Sequence, residues 1–196
     1  MVGGDFACFG REHYLNMNQL PENAFTTTLR GKADSLIEPP HLLSLSWLKS
    51  HEWAVVPVYE DIDYRFAEWI SEAIRGQGYT TCYVLTLPLS DSRIFEVEVS
   101  QESLYALGFG YISTQNLLIV PENLSFAILK MSTEYFILGG DHSFVRKAVG
   151  TSFETARKIF ERYANDEILP PAFRDHLLKE VLKRYASFDG LPTPHA

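Results

Sequence analysis

The chain has very little cysteine. Cys8 and Cys82 are the only two in 196 residues, and no CxxC pair occurs. That excludes a disulfide-stapled secreted framework and fits a reducing compartment. Long apolar runs are missing as well: none approaches the roughly 18 residues that a membrane-spanning helix requires. The first residues lack the basic and apolar regions of a secretion signal, so the sequence predicts a cytoplasmic protein without membrane association. On that reading the sequon Asn123-Leu124-Ser125 is accidental. Cofactor signatures are equally scarce. Gly31-Lys32 is followed by alanine instead of Ser/Thr, which rules out a phosphate-binding loop there, and no GxGxxG follows a strand. The histidines, His13, His41, His51, His142, His176 and His195, show neither HxH nor HExxH spacing. No metal and no cofactor is expected.

Basic charge is also in short supply, with 17 Lys/Arg against 25 Asp/Glu and a net charge of −8. Residues 141–196 are nearly balanced, so the deficit lies in the first 140. Within residues 52–72, Glu52, Glu60, Asp61, Asp63, Glu68 and Glu72 face only Arg65, a local charge of −5. Such a surface repels nucleic-acid phosphate and attracts a basic protein.

Apolar residues make up 46% of the chain, enough for one domain spanning 1–196 with a substantial core. The stretch LLIVPENLSFAILKMSTEYFILGG holds three apolar runs, Leu117 to Val120, Phe126 to Met131 and Tyr135 to Leu138. Turn residues separate them, which predicts an antiparallel meander over 117–139. The near-continuous apolar character after Pro121 places these strands in a sheet covered on both faces. Cys82 to Leu89 and Ile94 to Val99 are predicted as a hairpin, with Phe95, Val97 and Val99 alternating against Glu96 and Glu98 on a wet face. Trp53 to Tyr59 is a further strand, demoted to an edge by Pro57.

The helices carry clear stripes. One begins at Asp61 or Asp63, ends before Gly76 and buries Ile62, Phe66, Trp69, Ile70, Ala73 and Ile74. Ser100 caps a short one ended by Gly108 and Gly110, and Asp141 or Ser143 caps another that Gly150 stops. Thr151-Ser152-Phe153-Glu154 reads as a capping box opening a helix that buries Phe153, Ala156, Ile159, Phe160 and Tyr163. Pro170-Pro171 starts the last, with the stripe Leu177, Leu178, Val181, Leu182 and Tyr185. The fold class is therefore α+β, a mostly antiparallel sheet covered by amphipathic helices, two of them C-terminal. Phe126, Ile128, Tyr135, Ile137, Phe160 and Leu178 are expected in the core. Repeated glycine and proline predict an irregular segment over residues 1–50, packed on the domain.

Each catalytic candidate has a plainer explanation. His142, in Gly140-Asp141-His142-Ser143 at a strand-to-helix turn, could serve as a general base of a small hydrolase or transferase. Asp141, however, is a good helix cap, and Gly139-Gly140 reads as a turn. Cys82 sits in an apolar strand, where a buried inert thiol is the default. Glu96 and Glu98 belong to a solvated face. No catalytic residue is assigned. Tyr59, Glu60, Asp61, Asp63, Tyr64 and Glu68 combine stiff aromatic contact area with acids that select a basic partner, and they form the predicted partner-binding site. In type and composition the chain resembles toxin-neutralising immunity proteins, which are often acidic and free of catalytic motifs. No motif in EYFILGGDHSFV carries a functional residue over from them. The sequence thus predicts a non-catalytic protein that binds a basic protein, as an inhibitor or immunity-type protein. An enzyme using His142 and a self-associating structural protein are the alternatives.

Overall fold

A computed structural model describes residues 17–59, 64–109, 114–132 and 135–188. Seven strands form one antiparallel sheet: β1 (Met17–Gln19), β4 (Ala54–Val58), β5 (Thr81–Thr86), β6 (Ile94–Glu98), β7 (Leu117–Val120), β8 (Phe126–Met131) and β9 (Tyr135–Gly140). Their order is β1-β6-β5-β7-β8-β9-β4, and β2 (Ile37–Glu38) pairs with β3 (Leu42–Leu43) as a separate ribbon. The meander β7-β8-β9 is continuous, with Leu118 opposite Leu129 and Leu129 opposite Ile137. The hairpin β5-β6 pairs Val84 with Phe95. Its first strand ends at Thr86, before Pro88 and a turn at Leu89–Asp91, and so is shorter than predicted.

Both faces of the sheet are covered because β7, β8 and β9 are nearly continuous in apolar residues, interrupted in β8 by the buried Lys130. One face presents Val56, Val84, Ile119, Ile128 and Phe136 to α3 (Tyr64–Gly76), α4 (Gln101–Phe109) and α5 (His142–Val149). The other presents Val55, Leu118, Leu129 and Ile137 to α1 (Ala24–Leu36), α2 (Leu45–Ser50) and the C-terminal helix. Between the two layers, α6 (Phe153–Ala164) runs past the β4 edge, giving Ala156 to the first core and Phe160 and Ala164 to the second.

Among the described residues β4 is the edge that Pro57 predicts, since its one strand neighbour there is β9. The Val55 N–H faces outward and donates to the Phe188 carbonyl at 2.6 Å, while the Val55 carbonyl accepts from Arg157 at 3.3 Å. Pro57, two residues on, shares this outward orientation, so its missing donor leaves no ladder bond unmade. Arg157 also donates to the carbonyls of Tyr185 (2.8 Å) and Ala186 (3.0 Å), tying the C-terminal segment along the edge. An edge blunted in this way cannot accept a further strand at Val55.

Several sequence expectations are corrected. Residues 24–36 form a regular thirteen-residue helix within the segment predicted to be irregular. Asn23 and Thr26 cap it reciprocally, and Thr26, Leu29, Ala33 and Leu36 make its buried stripe. Gly31 lies on the solvent side with open space around its Cα, where glycine lowers helix propensity by about 1 kcal/mol without breaking the helix. Gly139-Gly140 is no turn: both residues are paired in β9, and a Cβ at Gly139 would sit 2.8 Å from Leu43 Cδ1. The α6 cap is Ser152, bonded to the Thr155 N–H and hydroxyl, while Glu154 instead pairs with Lys158 at 2.6 Å. α4 continues through Gly108 to Phe109.

The C-terminal helix starts as α7 (Pro171–Asp175) and widens into a π-helix over His176–Leu182, with Lys183 N–H bonded to Leu178 O at 3.0 Å. Leu177, Val181 and Tyr185 point into the core, and the wider turn leaves Leu178 and Leu182 half-buried at its margin. Phe126, Ile128, Tyr135, Ile137 and Phe160 are all fully buried, as expected; Leu178 is not.

Candidate functional site

The predicted partner-binding residues start where β4 ends. Tyr59 is 37% exposed and lies flat on Tyr163 of α6, ring centroids 3.7 Å apart and planes 14° from parallel. Beside it is a recess of about 140 Å³ lined by Val58, Tyr59, Trp69, Val149, Ala156 and Ile159. Trp69, predicted to be buried, is only half-buried, and Ile159 is 43% exposed. Both flank the core stripes of their helices instead of joining them, so they build the wall of the recess. Trp69 is fixed from two sides. The Arg65 guanidinium lies 4.9 Å over its indole, and Gly150 ends α5 with φ +63°, where a Cβ would be 2.3 Å from the indole. Only glycine permits both that backbone and that approach.

Tyr64 and Glu68, also predicted, sit one turn apart on the exposed face of α3. The Tyr64 hydroxyl donates to Glu102 Oε1 at 3.1 Å, and its ring meets Tyr105 edge-on at 5.4 Å. That hydrogen bond to Glu102, with the charges of Glu102 and Glu68, holds the phenol above its ordinary pKa. Tyr59 therefore leans on α6 and Tyr64 on α4, the two tyrosines anchored to different neighbours. Glu60, Asp61 and Asp63 lie outside the described residues, as does the predicted helix cap at Asp61 or Asp63. Glu52 precedes β4 whereas Tyr59 follows it, so the length of the strand separates this acid from the recess.

His142 stands in different surroundings. At the entrance of α5, it lines a cavity of about 790 Å³. The walls come from α5 (His142, Arg146), from α6 (Phe153, Glu154, Arg157, Lys158) and from Leu182 and Ala186 of the C-terminal segment. The imidazole packs against the Phe153 ring at 4.9 Å and makes no hydrogen bond among the described residues. Asp141 does not orient it. One carboxylate oxygen accepts from the Phe144 N–H at 2.8 Å and from Ser143 Oγ at 2.6 Å, and the other from Gln77 Nε2 at 2.9 Å. Burial works against ionisation of Asp141, but these hydrogen bonds outweigh it and hold its pKa below the ordinary carboxylate range. Asp141 is the α5 cap, as expected.

Cys82 is fully buried, and burial raises its thiol pKa to about 12. On the hairpin, Glu98 is exposed and Glu96 half-exposed. Among the described residues no group of three or more His, Cys, Asp or Glu is arranged to hold a metal ion, and no helix is long and apolar enough to cross a membrane.

Sequence reasoning missed Tyr163 and Ile159 as site residues because it placed both in the buried stripe of α6, and it gave Val149 no role. The available signal was the α6 spacing: Ala156, Phe160 and Ala164 already complete a stripe, which leaves Ile159 and Tyr163, four apart, as a second pair beside it. Arg146, Arg157 and Lys158 carried no local signal, since their cavity is assembled from three separate elements. Comparison with protein-family models, curated proteins and solved structures finds no match to this chain.

Proposed function

We propose that this protein works by binding a basic protein partner, in the manner of an inhibitor such as a toxin-neutralising immunity protein. The observation that carries the reading is the exposed Tyr59, stacked on Tyr163 beside an apolar recess walled by Trp69 and Ile159. Tyrosine and tryptophan held rigid at the rim of a small pocket are typical of the residues that dominate binding energy. Acids close to them in sequence supply the choice of partner: Glu60, Asp61 and Asp63 follow Tyr59 in the chain, and Glu68 and Glu72 are exposed on α3. Such charges raise the association rate toward a basic surface and disfavour nucleic acid. The edge of β4 is closed at Val55 by Phe188 and Arg157, so side chains and not strand addition would make the contact there.

The test is affinity capture from the source cell with wild-type and Ile159→Lys baits, quantified by mass spectrometry. Ile159 is exposed, so the substitution alters the surface and spares the core. The expected result is a basic protein enriched by wild-type and lost by Ile159→Lys. Equal capture by both baits would refute the recess as the contact. Enrichment of the chain's own copies alone would favour self-association.

The catalytic alternative draws support from the cavity at His142. A general base must be within hydrogen-bond reach of its proton and be oriented by a third group. The Ser143 hydroxyl beside it is committed to Asp141, and Asp141 is committed to the α5 cap. The cavity is therefore better suited to binding than to proton transfer.

A further inference from the structure

The His142 cavity is cationic in a chain whose net charge is −8: Arg146, Arg157 and Lys158 face it against Glu154 and Glu161. These cations differ in what already occupies them. Arg157 is spent on the carbonyls of Val55, Tyr185 and Ala186. Lys158 is held by Glu154 at 2.6 Å. Arg146 makes no hydrogen bond or ion pair among the described residues, and neither does His142. The two stand four residues apart on α5, hence one above the other on the same face. Phe153, against which the imidazole packs, and Leu182 add apolar lining to the cavity.

We infer that this cavity binds a small organic anion, its charged head against Arg146 and His142 and its apolar body on Phe153 and Leu182. The volume, about 790 Å³, lies within the range of small-molecule sites. An uncommitted guanidinium favours a carboxylate, sulfonate or phosphate head because its fork matches two acceptor oxygens. The apolar wall adds binding that is independent of charge, so an inorganic anion would engage only half of the site. The Tyr59 recess, lined chiefly by aromatic and aliphatic side chains, adjoins this cavity, the two sharing Thr151.

The test uses two fluorescent probes with the same apolar body. 1-Anilinonaphthalene-8-sulfonate carries an anionic head, and N-phenyl-1-naphthylamine is its neutral counterpart. Each is titrated against the full chain, an Arg146→Glu variant and an Arg162→Glu control; Arg162 is exposed on α6 outside the cavity. Far-UV circular dichroism melts establish that both variants fold. The expected result is saturable binding of the sulfonate at one site, weakened about tenfold by Arg146→Glu and changed less than about twofold by Arg162→Glu. The neutral probe should bind more weakly and ignore both substitutions. No saturable sulfonate binding, equal binding of the two probes, or equal effects of the two substitutions would overturn the inference.

Discussion

Replacing Arg157 with methionine should cut the tie between the sheet edge and the C-terminal segment while keeping most of the packing of the side-chain stem. The guanidinium donates to three carbonyls from two distant parts of the chain: Val55 at 3.3 Å, Tyr185 at 2.8 Å and Ala186 at 3.0 Å. Ala186 is exposed, so water replaces the donor there at little cost. Val55 and Tyr185 are fully buried, and their carbonyls lose a charged donor with restricted access to water. At about 1–1.5 kcal/mol for each of these two bonds, the loss comes to about 2–3 kcal/mol. Urea denaturation with linear extrapolation measures it. Amide exchange locates it: the Val55 N–H, bonded to Phe188 O, should lose protection, whereas Ile137 in β9, flanked by strands on both sides, should exchange only by global unfolding. Arg157→Lys should recover less than half of the loss, since one ammonium cannot reproduce the fork. A loss below about 0.5 kcal/mol with Val55 still protected would refute this role for Arg157.

Four further outcomes are expected. Ile137→Ala should cost about 2–5 kcal/mol in chemical denaturation, as its side chain is fully buried between β9 and the second helix layer; less than about 1 kcal/mol would contradict the two-faced sheet. Gly150→Ala must accept φ +63° and push a methyl group into Trp69, so it should lower the melting temperature more than Gly31→Ala, which meets open space. In a Cys8→Ser background, Cys82 should not react with Ellman's reagent at pH 8 until urea unfolds the chain, because burial raises its pKa to about 12. Asp141 has a folded pKa below its unfolded value, so its stabilising contribution is complete above about pH 5 and disappears as pH falls below about 4; Asp141→Asn should remove that part of the acid dependence of stability.

What the sequence made legible was local. The meander could be read because its runs are short, rich in Ile, Phe and Leu, and separated by turn residues, and their nearly continuous apolar character correctly implied cover on both faces. Pro57 marked the edge because a missing N–H is tolerated only where no ladder bond is needed. α1 was hidden because Gly31 and the nearby prolines read as breaks, although Leu29, Ala33 and Leu36 keep a helical spacing and Gly31 faces solvent. The widening of the C-terminal helix could not be foreseen, since the residues of a π-helix resemble those of an α-helix, and Leu178 was placed too deep as a result. The candidate site was half legible. Tyr59 and its acids are contiguous, but Tyr163 and Ile159 reach the recess from about a hundred residues further along the chain. The His142 cavity depends on three elements whose approach is set by tertiary packing, and no short-range spacing encodes it.

Recognition of a basic protein through the surface around Tyr59 is tested most directly by association kinetics with the captured partner at two salt concentrations. The fold should tolerate Glu60→Lys/Asp61→Lys/Asp63→Lys, and surface plasmon resonance should show a strongly slowed association rate for this triple variant, with the difference shrinking at high salt as the charges are screened. Ile159→Lys, by contrast, should mainly speed dissociation by spoiling the recess. Unchanged association by the folded triple variant, together with unchanged dissociation by Ile159→Lys, would contradict the account.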